Sequence, residues 1–242
     1  MVEFLELGTR RIAYNQLSGE GPGIVFLPGL RSDMEGTKAL FLEDWARERG
    51  RAFLRFDYTG HGQSSGDFTE GCIGDWARDA AETIAELTSG PQIIVGSSMG
   101  GWIGLLLARD AGLNISAMVG LAAAPDFTKN GMWAEFTDEQ KAELETRGYI
   151  EEPSEYGEPM VISKRLIEDG WDRLVLESPL AFDFPLRLIQ GTADADVPMD
   201  WALRLLEHVE CDDARLQLIK DADHRLSSPR DLEGLARTLD AL

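Results

Sequence analysis

The sequence predicts an α/β fold, a mostly parallel sheet of eight strands with helices on both faces, and three observations carry that expectation. Apolar runs of strand length alternate with helical stretches along the chain, the pattern of parallel strands joined by crossover helices. The run Gln92-Ile93-Ile94-Val95 passes through Gly96-Ser97-Ser98-Met99-Gly100 directly into the apolar segment Trp102 to Leu107, a buried strand that turns at once into a helix. The chain of 242 residues is long enough for one sizeable core, so residues 1–242 are read as a single domain.

In order, Val2 to Leu7 and Arg11 to Leu17 read as a strand pair around Gly8-Thr9, and Ser18 to Gly23 as a turn cluster. Ile24 to Leu27 is a buried strand leading into Pro28-Gly29-Leu30-Arg31. Ser32-x-x-Glu35 has the form of a capping box and predicts a helix to about Arg49, with Leu40, Phe41 and Trp45 on one face and Gly50 as its stop. Ala52 to Phe56 is the next strand, followed by the turn-rich loop Asp57 to Gly66 and a helix from Gly74 to Leu87. After the Gln92 strand and its helix come strands at Ile115 to Ala122, Leu186 to Gln190 and Arg215 to Ile219, which completes eight. A helix around Trp201 to His208 separates the last two strands, and Ser228-Pro229 opens the final helix with serine as cap and proline in the first helical position.

Residues 125–185 interrupt this alternation. Thr137-x-x-Gln140 caps a charged helix that Gly148 stops, Gly148 to Pro159 is rich in turn formers and acids, and Ile162 to Leu176 reads as a second helix. A stretch of this length between two core strands is too long for a simple crossover and is read as a small lid insertion. Its place is over the carboxyl ends of the strands, where such sheets bind ligands. Phe127, Met132, Trp133, Phe136, Met160 and Trp171 give it apolar surface for an acyl group, or for gluing the insertion to the core.

Composition narrows the function. A net charge of −20 argues against nucleic acid and anionic membrane surfaces as partners. Cys72 and Cys211 form neither a disulfide framework nor a metal-ligand spacing, which points to a reducing, cytoplasmic location. The N-terminal residues lack the basic and apolar regions of a signal peptide, and no apolar run approaches the ~20 residues of a membrane span.

The chemistry centres on Ser98. Gly96-x-Ser98-x-Gly100 between strand and helix is a sharp turn that exposes the serine hydroxyl, and the following helix turns its first N–H groups toward the same spot. A serine hydroxyl needs a base. Of three histidines, His208 falls in a helix, where it is expected to be solvent-exposed, and His61 between two glycines in a loop, where a structural turn role is expected. His224 follows the last strand, on the same sheet edge as Ser98, and is the expected base. Asp194, three residues past Gly191, is the expected acid, with Asp196 as its local rival in a turn or cap role, and Asp221 and Asp223 as loop charges flanking His224. The N–H groups of Met99 and Leu30 are the expected oxyanion donors, with Gly29 leaving room for a substrate carbonyl. No metal or cofactor is called for.

The chain resembles the α/β-hydrolases, and more narrowly the mitochondrial hydrolase-domain family of acyl-protein thioesterases that also cleave acyl glucuronides. The matching stretches are Phe26-Leu27-Pro28-Gly29, Gly36 to Leu40, Arg55-Phe56-Asp57-Tyr58-x-Gly60-x-Gly62-x-Ser64, Gly90 to Trp102 and Asp223-His224-Arg225, of which Gly90 to Trp102 is the most specific. The order Ser98, Asp194, His224 is the order of that fold. The resemblance implies a Ser98–Asp194–His224 triad acting on acyl esters or thioesters, small-molecule or borne on a protein. A mitochondrial presequence is not apparent and the acidic balance suggests a bacterial relative, so location and physiological substrate do not carry over. Two further readings stay open: a carbon–carbon hydrolase or perhydrolase on the same triad, and a non-catalytic small-molecule receptor of the same fold.

Overall fold

The computed structural model describes residues 2–152 and 159–242. Ten strands form, β1 (Glu3–Leu7), β2 (Arg10–Leu17), β3 (Glu20–Leu27), β4 (Arg51–Phe56), β5 (Gln92–Ser97), β6 (Ile115–Leu121), β7 (Tyr149–Glu152), β8 (Met160–Ser163), β9 (Leu186–Gly191) and β10 (Ala214–Ile219). Eight of them make one sheet in the order β1-β2-β4-β3-β5-β6-β9-β10, in which only β2 runs against its neighbours. The sequence-predicted sheet is therefore the observed one.

The helices are α1 (Thr37–Glu48), α2 (Ile73–Leu87), α3 (Met99–Asp110), α4 (Asp138–Arg147), α5 (Lys164–Trp171), α6 (Met199–His208) and α7 (Pro229–Asp240). Side chains alternate across the sheet, so each central strand feeds two cores. Ile93 and Val95 of β5 pack with Leu42 and Trp45 of α1 and Leu235 and Leu239 of α7. Ile94 faces the other way, among Trp76 and Ile84 of α2 and Trp102 and Ile103 of α3. Burial on both faces explains why these central strands read as unbroken apolar runs.

Three local expectations are corrected. The Ser32-x-x-Glu35 capping box does not form: α1 starts at Thr37 with Gly36 at its N-cap. Tertiary contacts hold those residues instead, since the Met34 N–H donates to the buried Asp57 carboxylate at 2.7 Å and its carbonyl accepts from Arg55 at 2.7 Å. In consequence α1 buries Ala39, Leu42, Trp45 and Ala46, while Leu40 is exposed. The turn cluster at Ser18 to Gly23 is largely absorbed into β3.

The third correction lies in the insertion. The stretch expected as loop and long helix carries an antiparallel pair, β7 with β8, and a helix of only eight residues, α5, capped by Ser163. Ile150 and Ile162 face each other across that pair and are both buried. The Gly148 to Pro159 turn reading falls in part on residues outside those described. The α4 capping box of Thr137 and Gln140 and its left-handed Gly148 stop are as the sequence predicts. At the base of the insertion, the Asp126 carboxylate accepts the N–H groups of Val175 at 2.8 Å and Leu176 at 3.0 Å, which brings the two ends of the excursion together.

Candidate active site

Ser98 stands between β5 and α3 with φ 53 and ψ −117, a conformation that β-branched or bulky residues avoid. The strain is held from both sides. The Ser98 N–H donates to the Leu121 carbonyl at 2.9 Å, and its own carbonyl accepts from Gly101 at 2.9 Å and Ala124 at 3.1 Å. The turn requires its two glycines, because a Cβ on Gly96 would run into the Gly100 carbonyl and one on Gly100 into the Leu27 carbonyl. Ser97 is buried, whereas Ser98 is partly open.

β5, β6, β9 and β10 are adjacent and parallel, so the loops after them share one edge of the sheet. Asp194 follows β9 and His224 follows β10, and the two side chains meet there, His224 Nδ1 lying 2.9 Å from Asp194 Oδ2. The Asp194 side chain is fully buried and that of His224 is 23% exposed. An ionised carboxylate only accepts, so Nδ1 is the donor in this contact and Nε2 is the ring nitrogen not engaged by Asp194. Four donors fill the carboxylate: His224 and Gln190 Nε2 at 2.9 Å on Oδ2, and the N–H groups of Asp196 at 3.0 Å and Val197 at 2.8 Å on Oδ1. Burial pushes the Asp194 carboxyl upward, but these hydrogen bonds and the imidazole charge outweigh it and hold the group below the ordinary carboxylate range. Gly191 lets the two loops close on each other, since a side chain there would collide with the Ala222 carbonyl.

The rivals take other places. Asp196 is exposed and donates its backbone N–H to Asp194; the cap of α6 is Pro198, not Asp196. Asp223 Oδ1 accepts the N–H groups of Arg225 and Leu226, which shapes the His224 loop, and Asp221 sits at φ 62 in the same loop. Asp194, Asp196 and His224 each present an atom within 4.8 Å of the others, close enough to be shared by a cation, but the four donors on Asp194 already occupy its lone pairs.

Leu30 lies in the loop after β3, and a Cβ on Gly29 would be in van der Waals contact with Ser98 Cβ at 3.4 Å. Among the described residues neither the Leu30 nor the Met99 N–H finds an acceptor. The loop is fixed by residues to which sequence reasoning gave no such part. His61 is 4% exposed among Tyr58, Phe68 and Trp76, and its Nε2 accepts the N–H of Arg31, itself at φ 57, at 3.2 Å. Asp57 holds Met34 on one side and Gln63 on the other. Burial lowers the His61 basicity, which preserves Nε2 as an acceptor. His208, expected to be solvent-exposed, is half-buried and bonds the Ser178 carbonyl at 2.8 Å.

The insertion reaches this edge. Ala124, the residue just before it, donates its N–H to the Ser98 carbonyl, and Gly131 of the insertion lies against Trp201 of α6, the helix that follows the Asp194 loop. Phe127 packs edge-on to Trp102 and Phe136 is buried in the core, while Trp133 and Trp171 pair nearer the surface. The aromatics thus divide between anchoring the insertion and lining its outer part.

The profile described as Alpha/beta hydrolase family matches residues 24–238. A curated relative, the mitochondrial palmitoyl-protein thioesterase ABHD10 of Bos taurus, is 37% identical over 236 residues, 96% of this chain and 76% of that protein. A solved hydrolase structure from Agrobacterium vitis S4 superposes with a TM-score of 0.94 at 39% identity, covering 100% of this chain and 97% of that one. The mouse alpha/beta hydrolase domain-containing protein 10 superposes with a TM-score of 0.92 at 33% identity, covering 100% and 97%. Among the described residues no helix is long and apolar enough to cross a membrane.

Proposed function

The chain belongs to the alpha/beta hydrolase family, and from that premise we propose that it is a serine hydrolase cleaving carboxylic ester or thioester bonds of acyl substrates through an acyl-enzyme. The observation that carries the reading is the 2.9 Å contact of Asp194 with His224 on the sheet edge where Ser98 sits strained and accessible. In this mechanism His224 Nε2 takes the Ser98 proton as the hydroxyl attacks the acyl carbon. Asp194 fixes the tautomer and stabilises the imidazolium. The N–H groups of Met99 and Leu30, near the positive end of α3, receive the oxyanion. The imidazolium returns the proton to the leaving alcohol or thiol, and water then repeats the sequence on the acyl-Ser98.

The insertion at 125–185 acts as the lid, and its Phe127, Met132 and Trp133, all half-buried, supply apolar surface for the acyl group. The relatives named as palmitoyl-protein thioesterases favour thioesters beside oxygen esters, with the acyl group on a small molecule or on a protein. Two free cysteines suit a reducing compartment, which we take to be the cytoplasm; fractionation of the native host tests that against the mitochondrial location of those relatives. A fluorophosphonate probe is the direct test of the nucleophile. It is expected to label Ser98 and to leave Ser98→Ala unmarked, with kcat of that variant lower by about 10⁴-fold or more and the fold intact. An adduct on Ser97, or undiminished turnover by Ser98→Ala, would remove the assignment.

A further inference from the structure

We propose that Gln190, at the end of β9, is a positioning residue that orients the Asp194 carboxylate and, by sharing its Oδ2, moderates its grip on His224. The proposal rests on the reading of Asp194 and His224 as acid and base. Gln190 is 1% exposed, and its amide nitrogen donates to Asp194 Oδ2 at 2.9 Å and to the Val197 carbonyl at 3.0 Å, with the Gly191 carbonyl at 3.4 Å. Three oxygens surround that end of the side chain, so only the NH₂ orientation fits; a flipped amide would set oxygen against oxygen.

The other end of the amide shows what the residue is for. Gln190 Oε1 is buried and has no hydrogen-bond partner among the described residues. A residue that merely filled this space would be better as methionine or leucine, which bury no unpaired acceptor. What the amide adds is the N–H on Asp194 Oδ2, the same oxygen that binds His224 Nδ1.

Two donors on one oxygen have a defined consequence. The Gln190 N–H stabilises the ionised carboxylate and draws on the charge that Oδ2 offers to the imidazolium. Without it, Oδ2 becomes more basic and binds the charged imidazole more strongly. His224 would then keep its proton to higher pH, and less free base would be available near neutrality. The other charges around His224 are Asp196, within 4.8 Å, the flanking Asp223 and Arg225, and Lys38, whose ammonium interacts with both flanking groups. None of these is contacted by Gln190.

The test is the titration of the His224 ring followed by NMR, beside the pH profile of kcat/KM, in the wild type, Gln190→Met and Gln190→Asn. His61→Gln and His208→Gln spectra identify the His224 resonance. In Gln190→Met the His224 midpoint is expected to rise by on the order of half a pH unit or more, with the acid limb of kcat/KM moving by the same amount and KM little changed. Gln190→Asn, which keeps an amide but draws it back from Asp194 Oδ2, is expected to move the midpoint in the same direction, and it carries the test if Gln190→Met does not fold. A lower Tm with an unmoved His224 midpoint would show a structural role only and overturn the proposal. An inactive, unlabelled wild type would instead remove the hydrolase reading, while the NMR midpoints would still decide the place of Gln190.

Discussion

Two carboxylates, two residues apart after β9, meet different fates. Asp194 is buried with four donors and grips His224, whereas Asp196 lends only its backbone N–H. Asp194→Asn is expected to present the wrong hydrogen-bonding face to Nδ1 and lower kcat by about 10³–10⁴-fold. Asp196→Asn is expected to cost less than about tenfold, since an exposed charge near the ring adds only a screened interaction. Steady-state kinetics of the two variants check the ranking, and the reverse order would move the acid to Asp196. At this scale the sequence was informative wherever a residue type had few alternatives: one serine at the centre of Gly96-x-Ser98-x-Gly100, one histidine after the last strand. It gave His61 a structural turn role without its partner, and was silent on Gln190 and on what Asp57 holds. Their partners lie on loops brought near by folding, as with His61 and the Arg31 N–H, and no spacing records which loops meet.

Among the elements, the long ones announce themselves and the short ones depend on contacts. The capping box of α4 and the Ser228 cap of α7 form where the sequence places them, because nothing competes for those side chains. The one at Ser32 fails because Asp57 and Arg55 take hold of the Met34 peptide, a tertiary contact that outweighs a local preference. The four-residue strands β7 and β8 are too short for alternation to stand out from an acidic loop. Two predictions belong here. Asp126→Ala leaves the Val175 and Leu176 N–H groups buried and unpaired, and is expected to destabilise the fold by about 2–4 kcal/mol, read by urea denaturation. In α1, burial lowers the Lys38 ammonium to about 8, against an upward pull from Asp223 and a downward push from Arg225. The unfolded chain, with lysine near ~10.4, therefore binds more protons than the folded one above pH ~8, so this group makes stability rise with pH across that window. Lys38→Met is expected to remove that rise, seen as a flatter Tm against pH from about 8 to about 10 than in the wild type.

For the whole molecule, the alternation of runs was enough to read the sheet, since burial on both faces leaves few other ways to hide so many apolar strands. The insertion was legible as an interruption but not in its shape. With a net charge of −20, polyanionic substrates are disfavoured and apolar acyl groups are the expected ones. Each buried methylene contributes about 0.8 kcal/mol, so kcat/KM is expected to climb by up to about fourfold per methylene from acetyl toward octanoyl, with thioesters turned over at least as well as matched esters. A graded panel of both checks this, and acetyl esters as the best substrates would end the acyl-surface idea while leaving Ser98 in place. One feature reaches further. β6 and β9 are direct neighbours in the sheet, and Asp126 ties residue 126 to residues 175 and 176, so the intervening residues 127–174 leave and rejoin the framework at nearly one point. Such a segment is a cassette: it can be exchanged wholesale without re-registering a strand, whereas the elbow below, walled in by the Leu27 and Gly100 carbonyls, has no room for a side chain at either glycine.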